Sequence, residues 1–96
     1  MSVYFIVQEK VTDQEGMDAY GKAAGPTFAG VRGKPIIVDN DVEVIEGEWH
    51  GSRIVVLEFE DDAAFHEWYD SDAYQEALKL RFASSDSRAI LAKGLG

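Results

Sequence analysis

Alternating hydrophobic and polar positions predict strands at four places in this 96-residue chain. They are Val3–Val11, Lys34–Asp39, Arg53–Phe59 and Ser87–Lys93. Arg53–Phe59 is the richest in β-branched and aromatic residues, and polar or glycine-containing turns bound it. A further stretch, Val42–Glu46, forms either a short strand or the return arm of a hairpin.

The third of these strands is apolar on both faces. Val55, Leu57 and Phe59 share one face, because side chains alternate along a strand. Ile54, Val56 and Glu58 share the other. A single layer of helices covers one face of a sheet only, so the second face needs another covering layer. A chain this short buries a modest core, and a second subunit would supply that layer.

Helical spacing of apolar residues predicts two helical regions between the strands. The first begins near Asp13, where Thr12–Glu15 matches a capping box, and it is interrupted at Gly25-Pro26. Thr27–Val31 is predicted to continue as a second helical segment. The second region begins after an aspartate cap at Asp61 or Asp62. Asp70-Ser71-Asp72 interrupts it, with Ser71 as the cap of its second half, and Ser84–Ser87 is predicted to be a loop.

The resulting order, β-α-β-(β)-β-α-β, predicts an α+β fold of the ferredoxin-like β-α-β-β-α-β type. Residues 1–96 form one domain, in which an antiparallel sheet carries helices on one face. The open face would be paired with a second copy of the chain. The sequence therefore predicts a homodimer built face to face.

Charge and composition narrow the range of partners. The formal net charge is −9 and there is no cysteine, which argues against binding of nucleic acid or of an anionic membrane surface and excludes thiol chemistry. The ordinary interpretation of the acidity is solubility. The first residues resemble a strand rather than a signal peptide or a membrane span, so we expect a cytoplasmic location.

A long series of residues carries a resemblance to a known family. In order they are Tyr4 with Tyr20, Glu46-Gly47-Glu48-Trp49, Arg53–Phe59, Trp68-Tyr69-Asp70-Ser71, Ala73-Tyr74-Gln75 and Arg81. Together they resemble the domain of unknown function 1330 family across essentially the whole chain. That resemblance implies membership of the dimeric α+β barrel superfamily, which contains cofactor-free monooxygenases, haem-handling enzymes, lactone isomerases and proteins without known chemistry. Fold alone does not choose among these functions.

The chain departs from the family pattern before and within the second strand. Lys34 stands where the family usually has a first arginine, and Val38 stands at the second. Asp39-Asn40 replaces a pair of glycines. Because lysine lacks the bidentate fork of arginine, a phosphate or carboxylate clamp is not expected there.

The candidate site residues are one carboxylate, one cation and three aromatic residues. Glu58 lies in an otherwise apolar strand, and burial would favour its protonated form and make it a candidate general base. The structural alternative is an ion pair with Arg81 or Arg53. Arg81 could instead bind an anionic ligand. Trp68, Tyr69 and Tyr74 either line a pocket for a flat ligand or fill the core and the interface.

Two classes of function remain open. In one, the protein binds or transforms a small organic metabolite between the sheet and the helices, with Glu58, Trp68, Tyr69, Tyr74 and Arg81 as the ligand-binding candidates. In the other, it is a non-catalytic dimeric structural or interaction module. No residues have metal-ligand spacing, and no metal or other cofactor is expected.

Overall fold

The chain alternates strands and helices, and the computed structural model describes all 96 residues. The strands are β1 (Val3–Val11), β2 (Gly33–Asp39), β3 (Arg53–Phe59) and β4 (Ser85–Lys93). The helices are α1 (Gln14–Ala24), α2 (Asp62–Tyr69) and α3 (Asp72–Ser84), and a 3₁₀ turn at Gly25–Phe28 follows α1. None of the helices is long and apolar enough to cross a membrane.

The four strands form one antiparallel sheet in the order β2-β3-β1-β4. The two central strands, β1 and β3, are adjacent although a helix and a strand separate them in the chain. Their register places Val3 opposite Phe59, Phe5 opposite Leu57, and Val7 opposite Val55. This is the predicted ferredoxin-like arrangement, and it confirms the α+β fold.

The hydrophobic core lies between one face of the sheet and the helices. Alternate residues of β1 and β3 are buried there, as the strand pattern predicted. The helices contribute Ala64, Phe65 and Trp68 from α2 and Tyr74, Ala77 and Leu78 from α3. Rings of Phe5, Phe59, Phe65 and Trp68 pack at centroid distances of 5.1 to 6.3 Å. The helices cover this face only, so the opposite face of the sheet is open.

The two predicted caps in the second helical region are confirmed. Asp61 accepts a hydrogen bond from the backbone N–H of Ala64 at 2.8 Å, which fixes the start of α2. Ser71 accepts one from the N–H of Tyr74 and donates one to the carbonyl of Trp68. The break between α2 and α3 is therefore held by hydrogen bonds on both sides of Ser71.

Other local predictions were wrong. Asp13, not Thr12, is the residue before α1, and it makes no side-chain cap hydrogen bond. The capping box fails because the N–H groups of Thr12 and Asp13 both donate to the carbonyl of Ser84. The predicted helix at Thr27–Val31 is replaced by the 3₁₀ turn, which ends at Phe28.

The remaining differences concern loops. Val42–Glu46 forms no strand and belongs to a loop that runs from Asn40 to Ser52. The predicted loop at Ser84–Ser87 does not exist, because α3 ends at Ser84 and β4 begins at Ser85. Ser85 and Asp86 pair with Val11 and Lys10 at the end of β1. Because of this pairing, β4 begins directly after α3.

Candidate functional site

A row of polar residues crosses the helix-facing side of the sheet at one end. Arg53 on β3, Glu9 on β1 and Ser87 on β4 are direct neighbours in the strand register. Glu9 follows Val3, Phe5 and Val7 on the same face, so the strand pattern that buries those residues also buries this carboxylate. It is only 2% exposed. The Nε of Arg53 donates to its Oε1 at 2.8 Å, and Arg53 Nη1 hydrogen-bonds Asn40.

The helices bring three further polar side chains to this row. Tyr20 comes from α1, and Tyr74 and Arg81 come from one face of α3 because they are seven residues apart. The hydroxyl oxygens of Tyr20 and Tyr74 are 2.9 Å apart, within hydrogen-bond distance. Arg81 Nη1 donates to the hydroxyl of Ser87 at 3.1 Å. We call Glu9, Tyr20, Arg53, Tyr74 and Arg81 the polar core cluster.

Arg81 is the least satisfied member of the polar core cluster. It is 3% exposed, it belongs to no ion pair, and its Nε has no hydrogen-bond partner. A buried guanidinium without a carboxylate is unfavourable, because burial removes its hydration and the hydrogen bond to Ser87 replaces only part of it. The cluster holds two guanidinium groups and one carboxylate, so one positive charge is uncompensated.

Burial also acts on the two phenols. Loss of hydration raises the pKa of Tyr20 above its ordinary value, and it raises the pKa of Tyr74 further. The nearby Arg81 guanidinium acts in the opposite direction on both residues. Both phenols are therefore neutral at physiological pH and available as hydrogen-bond donors.

A cavity of about 560 Å³ adjoins the polar core cluster. It lies between α1, the end of β1 and the start of the loop after β2. Its walls include Tyr20 and Arg53 from the cluster, together with Asn40, which holds Arg53. Met17 and Val11 supply apolar surface, and Asp18 and Lys22 add one charge of each sign. Gly21 also lines it, and a side chain added there would meet no atom within 4 Å.

The structure separates the five candidate residues of the sequence analysis into three places. Tyr74 and Arg81 belong to the polar core cluster. Trp68 and Tyr69 lie in the aromatic core, where the ring centroids of Trp68 and Tyr74 are 3.9 Å apart. The Trp68 Nε1 donates to the hydroxyl of Thr27 at 2.9 Å. Aromatic rings fill the joint between α2 and α3, and Trp68, Tyr69 and Tyr74 line none of the four principal cavities.

The predicted ion pair between Glu58 and Arg81 or Arg53 is wrong. Glu58 lies on the open face, because it alternates with the buried residues Leu57 and Phe59. There it accepts a hydrogen bond from the Tyr4 hydroxyl at 2.9 Å, and Lys34 is 3.9 Å away. This hydrogen bond raises the pKa of Tyr4. Arg81 and Arg53 face the helices, so the sheet separates them from Glu58.

The carboxylate that pairs with Arg53 is Glu9, which was not among the candidate site residues predicted from the sequence. The signal was present, since a glutamate in phase with Val3, Phe5 and Val7 must be buried if they are. The structure shows no group of three His, Cys, Asp or Glu residues placed to hold a metal ion.

The fold and site define a ferredoxin-like α+β protein with a buried polar cluster beside a cavity. A family model described as domain of unknown function (DUF1330) matches residues 2–95, so the chain belongs to that family. A search of curated proteins found no match.

Several solved structures share this fold. A protein of unknown function from Rhodopseudomonas palustris is 26% identical with a TM-score of 0.83, and the match covers 99% of this chain and 83% of that one. A dimeric ferredoxin-like protein of unknown function from Jannaschia sp. CCS1 is 13% identical with a TM-score of 0.72, covering 98% and 100%. SnoaB, a cofactor-independent oxygenase from Streptomyces nogalater, is 16% identical with a TM-score of 0.70, covering 99% and 94%. The likeness to the last two is one of fold alone.

Proposed function

We propose that this protein is a homodimer in which each subunit binds a small organic molecule in the cavity between α1 and the sheet. The observation that carries the proposal is the polar core cluster at the wall of that cavity. Proteins usually bury charged groups only when they are paired, and this one buries Arg81 without an anionic partner. A cavity with apolar walls and a few convergent polar groups is the usual form of a ligand site.

The dimer is supported by the open face of the sheet. Ile6, Ile54 and Ile90 share this face and are half-buried or exposed, whereas Val56 on the same face is already buried. Ile45 and Trp49, which are exposed in the loop after β2, extend the apolar surface, because Ile54 lines the same groove as they do. Contiguous apolar surface of this kind usually marks an interface. Two of the structural relatives with this fold are described as dimeric ferredoxin-like proteins.

The test of ligand binding is a thermal-shift screen against a broad metabolite library. A ligand that binds only the folded state raises the melting temperature by mass action. At a concentration ten times its Kd, it adds about 1.4 kcal/mol to the free energy of unfolding.

Gly21 offers a matched pair of variants for that screen. Gly21→Phe would place a ring in the cavity, whereas Gly21→Ala adds one methyl group at the same helical position. We expect the ligand-induced shift in the original chain and in Gly21→Ala, and its loss in Gly21→Phe. A library without any hit, or a shift that persists in Gly21→Phe, would contradict binding in this cavity.

The second candidate is a dimeric module without a ligand. It is supported by the filled joint between α2 and α3, where Trp68 and Tyr74 leave no cleft. In that case the screen gives no hit, while light scattering still shows a dimer.

A further inference from the structure

We propose that the cavity is specific for a carboxylate, which is held between the Tyr20 hydroxyl and the Arg53 guanidinium. This inference rests on the proposed ligand site and specifies the chemical class of its ligand. It assigns the ligand contacts to residues on the cavity wall, and it gives the buried Tyr74, which lies beside Tyr20, a positioning role.

The Tyr20 hydroxyl can donate a hydrogen bond toward the cavity. It lies 2.9 Å from the Tyr74 hydroxyl, and either oxygen of this pair can be the donor. We assign the donor role to Tyr74, which is the buried member of the pair and lines no principal cavity. With its oxygen engaged as an acceptor, Tyr20 directs its own O–H away from Tyr74. Tyr20 is then a donor at the wall of the cavity, which it lines.

The Arg53 guanidinium has a nitrogen that is free to donate to a ligand. Its Nε donates to Glu9 and its Nη1 to Asn40, and no hydrogen bond uses Nη2. Because Glu9 and Asn40 hold the guanidinium from two sides, the remaining nitrogen is fixed in place at the cavity wall. A planar carboxylate has two oxygens to accept from two such donors, one from Arg53 and one from Tyr20.

The charge of the polar core cluster also favours an anionic ligand. The cluster carries one uncompensated positive charge inside a protein whose formal net charge is −9. A monoanionic ligand would bring the net charge of the cluster and ligand together to zero. A neutral ligand would leave Arg81 uncompensated, and a dianion would create an excess of negative charge in the same volume.

The experiment compares carboxylic acids with their primary amides, which have nearly the same shape but no charge. The probes are acetate and acetamide, benzoate and benzamide, phenylacetate and phenylacetamide, and 2-naphthoate and 2-naphthamide. Binding to the dimeric protein is measured by NMR titration at neutral pH. For at least one pair we expect the acid to bind about tenfold more tightly than its amide, because hydrogen bonds to an ionised acceptor are roughly twice as strong as neutral ones.

Tyrosine-to-phenylalanine variants test the roles of the two phenols. Tyr20→Phe removes a donor at the cavity and should reduce the affinity for the acid about tenfold. Tyr74→Phe keeps the Tyr20 hydroxyl but no longer orients it, so the ratio of acid to amide affinity should fall. Tyr69→Phe is the matched control, since its ring lies in the aromatic core and lines no principal cavity. We expect the control to keep both the affinity for the acid and the ratio of acid to amide affinity.

Three results would overturn the inference. One is an amide that binds as tightly as its acid in every pair. Another is the absence of acid binding up to 10 mM across the whole panel. The third is an acid preference that survives Tyr20→Phe but disappears in Lys22→Gln, which would assign the anion to the lysine at the cavity rim. If neutral molecules bind and the shift is lost in Gly21→Phe, the ligand site stands and only its proposed specificity fails.

Discussion

At the scale of single residues, the unusual feature is the number of ionisable side chains inside a small core. Glu9, Arg81 and Tyr74 are buried, and Tyr20 beside them is partly buried, although the chain has ample surface for polar groups. The buried groups must be satisfied from within, because water is excluded. Arg53 satisfies Glu9 and Ser87 satisfies one nitrogen of Arg81, but the Arg81 Nε is left without a partner. Stability and the proposed ligand binding therefore depend on the same few groups.

Replacing the buried carboxylate tests this dependence. Glu9→Gln keeps the volume but leaves Arg53 and Arg81 without a negative charge nearby. We expect the free energy of unfolding to fall by about 2–3 kcal/mol, somewhat less than for a fully buried pair because Arg53 is a quarter exposed. Urea denaturation measures the difference. The control is Glu76→Gln on the surface of α3, whose pairing with Lys79 is exposed and should change stability by less than about 0.5 kcal/mol. Similar losses in the two variants would show that Glu9 is not a buried partner.

Alkaline pH provides a second test. The pKa values of Tyr20 and Tyr74 are raised in the folded protein, whereas tyrosines of the unfolded chain ionise near 10.0. Above that pH the unfolded chain has released protons that the folded chain still holds, so the free energy of unfolding must fall as pH rises. Below it, both states are protonated and this contribution is fully present. We expect a shallower alkaline loss in the double variant Tyr20→Phe/Tyr74→Phe, as measured by urea denaturation across a pH series. An unchanged slope would mean that the two phenols do not carry the effect.

At the scale of elements, the loop Asn40–Ser52 is fastened to the sheet at its end. Gly51 has a φ of +75°, and a Cβ there would lie 2.2 Å from the backbone oxygen of Glu9. The neighbouring His50 contacts the Asp86 carbonyl through Nε2 at 2.8 Å. The loop thus packs against β1 and β4 next to Glu9 of the polar core cluster. The loop therefore borders one end of the candidate site.

Two glycines of this loop form a matched pair for a test. Gly47 has a φ of +72°, but a side chain there would meet nothing within 4 Å. Gly47→Ala should therefore lower the free energy of unfolding by about 1–2 kcal/mol, from the left-handed backbone alone. Gly51→Ala adds the clash with backbone atoms, and we expect a loss of more than about 3 kcal/mol. Thermal or urea denaturation compares them. Equal losses would indicate that the loop does not approach β1 so closely.

At the scale of the whole molecule, the subunit is a slab of two layers. Its extents are 31 × 31 × 15 Å, which leaves room for one sheet and one layer of helices. Such a slab leaves much of one face of its sheet exposed, and Ile90 on the edge strand β4 is 61% exposed there. Face-to-face pairing about a two-fold axis would bury this surface on both subunits.

A charge placed on that face should prevent the pairing. Ile90→Glu would put a carboxylate into the proposed interface twice, because the same patch serves both subunits. We expect light scattering at micromolar concentration to show a dimer for the original chain and a monomer for this variant. Phe82→Glu is the control, since Phe82 is 62% exposed but lies on the outer side of α3. A monomeric original chain, or an unchanged dimer in Ile90→Glu, would contradict the proposed interface.

Much of the fold was predictable because alternation is a local property. The bounds of β1 and β3, the caps at Asp61 and Ser71, and the two apolar faces of β3 could all be predicted from neighbouring residues. The predicted capping box at Thr12 was not correct. The backbone N–H of Thr12 donates to the carbonyl of Ser84, which is far along the chain. Local patterns cannot reveal a competing partner that only the folded chain brings close.

The residues of the candidate site could be predicted only in part from the sequence. Alternation determined that the Glu58 side chain is on the other face of β3 from Leu57 and Phe59. It also determined that Glu9 shares a face of β1 with Val3, Phe5 and Val7. Only the tertiary structure decided which face the helices cover, and so placed Glu9 with Arg53 inside and Glu58 with Tyr4 outside. Likewise, helical spacing put Tyr74 and Arg81 on one side of α3, but the crossing of α1 brought Tyr20 to them. The reason is physical: residue spacing determines the face of an element, whereas the packing of elements determines which faces meet.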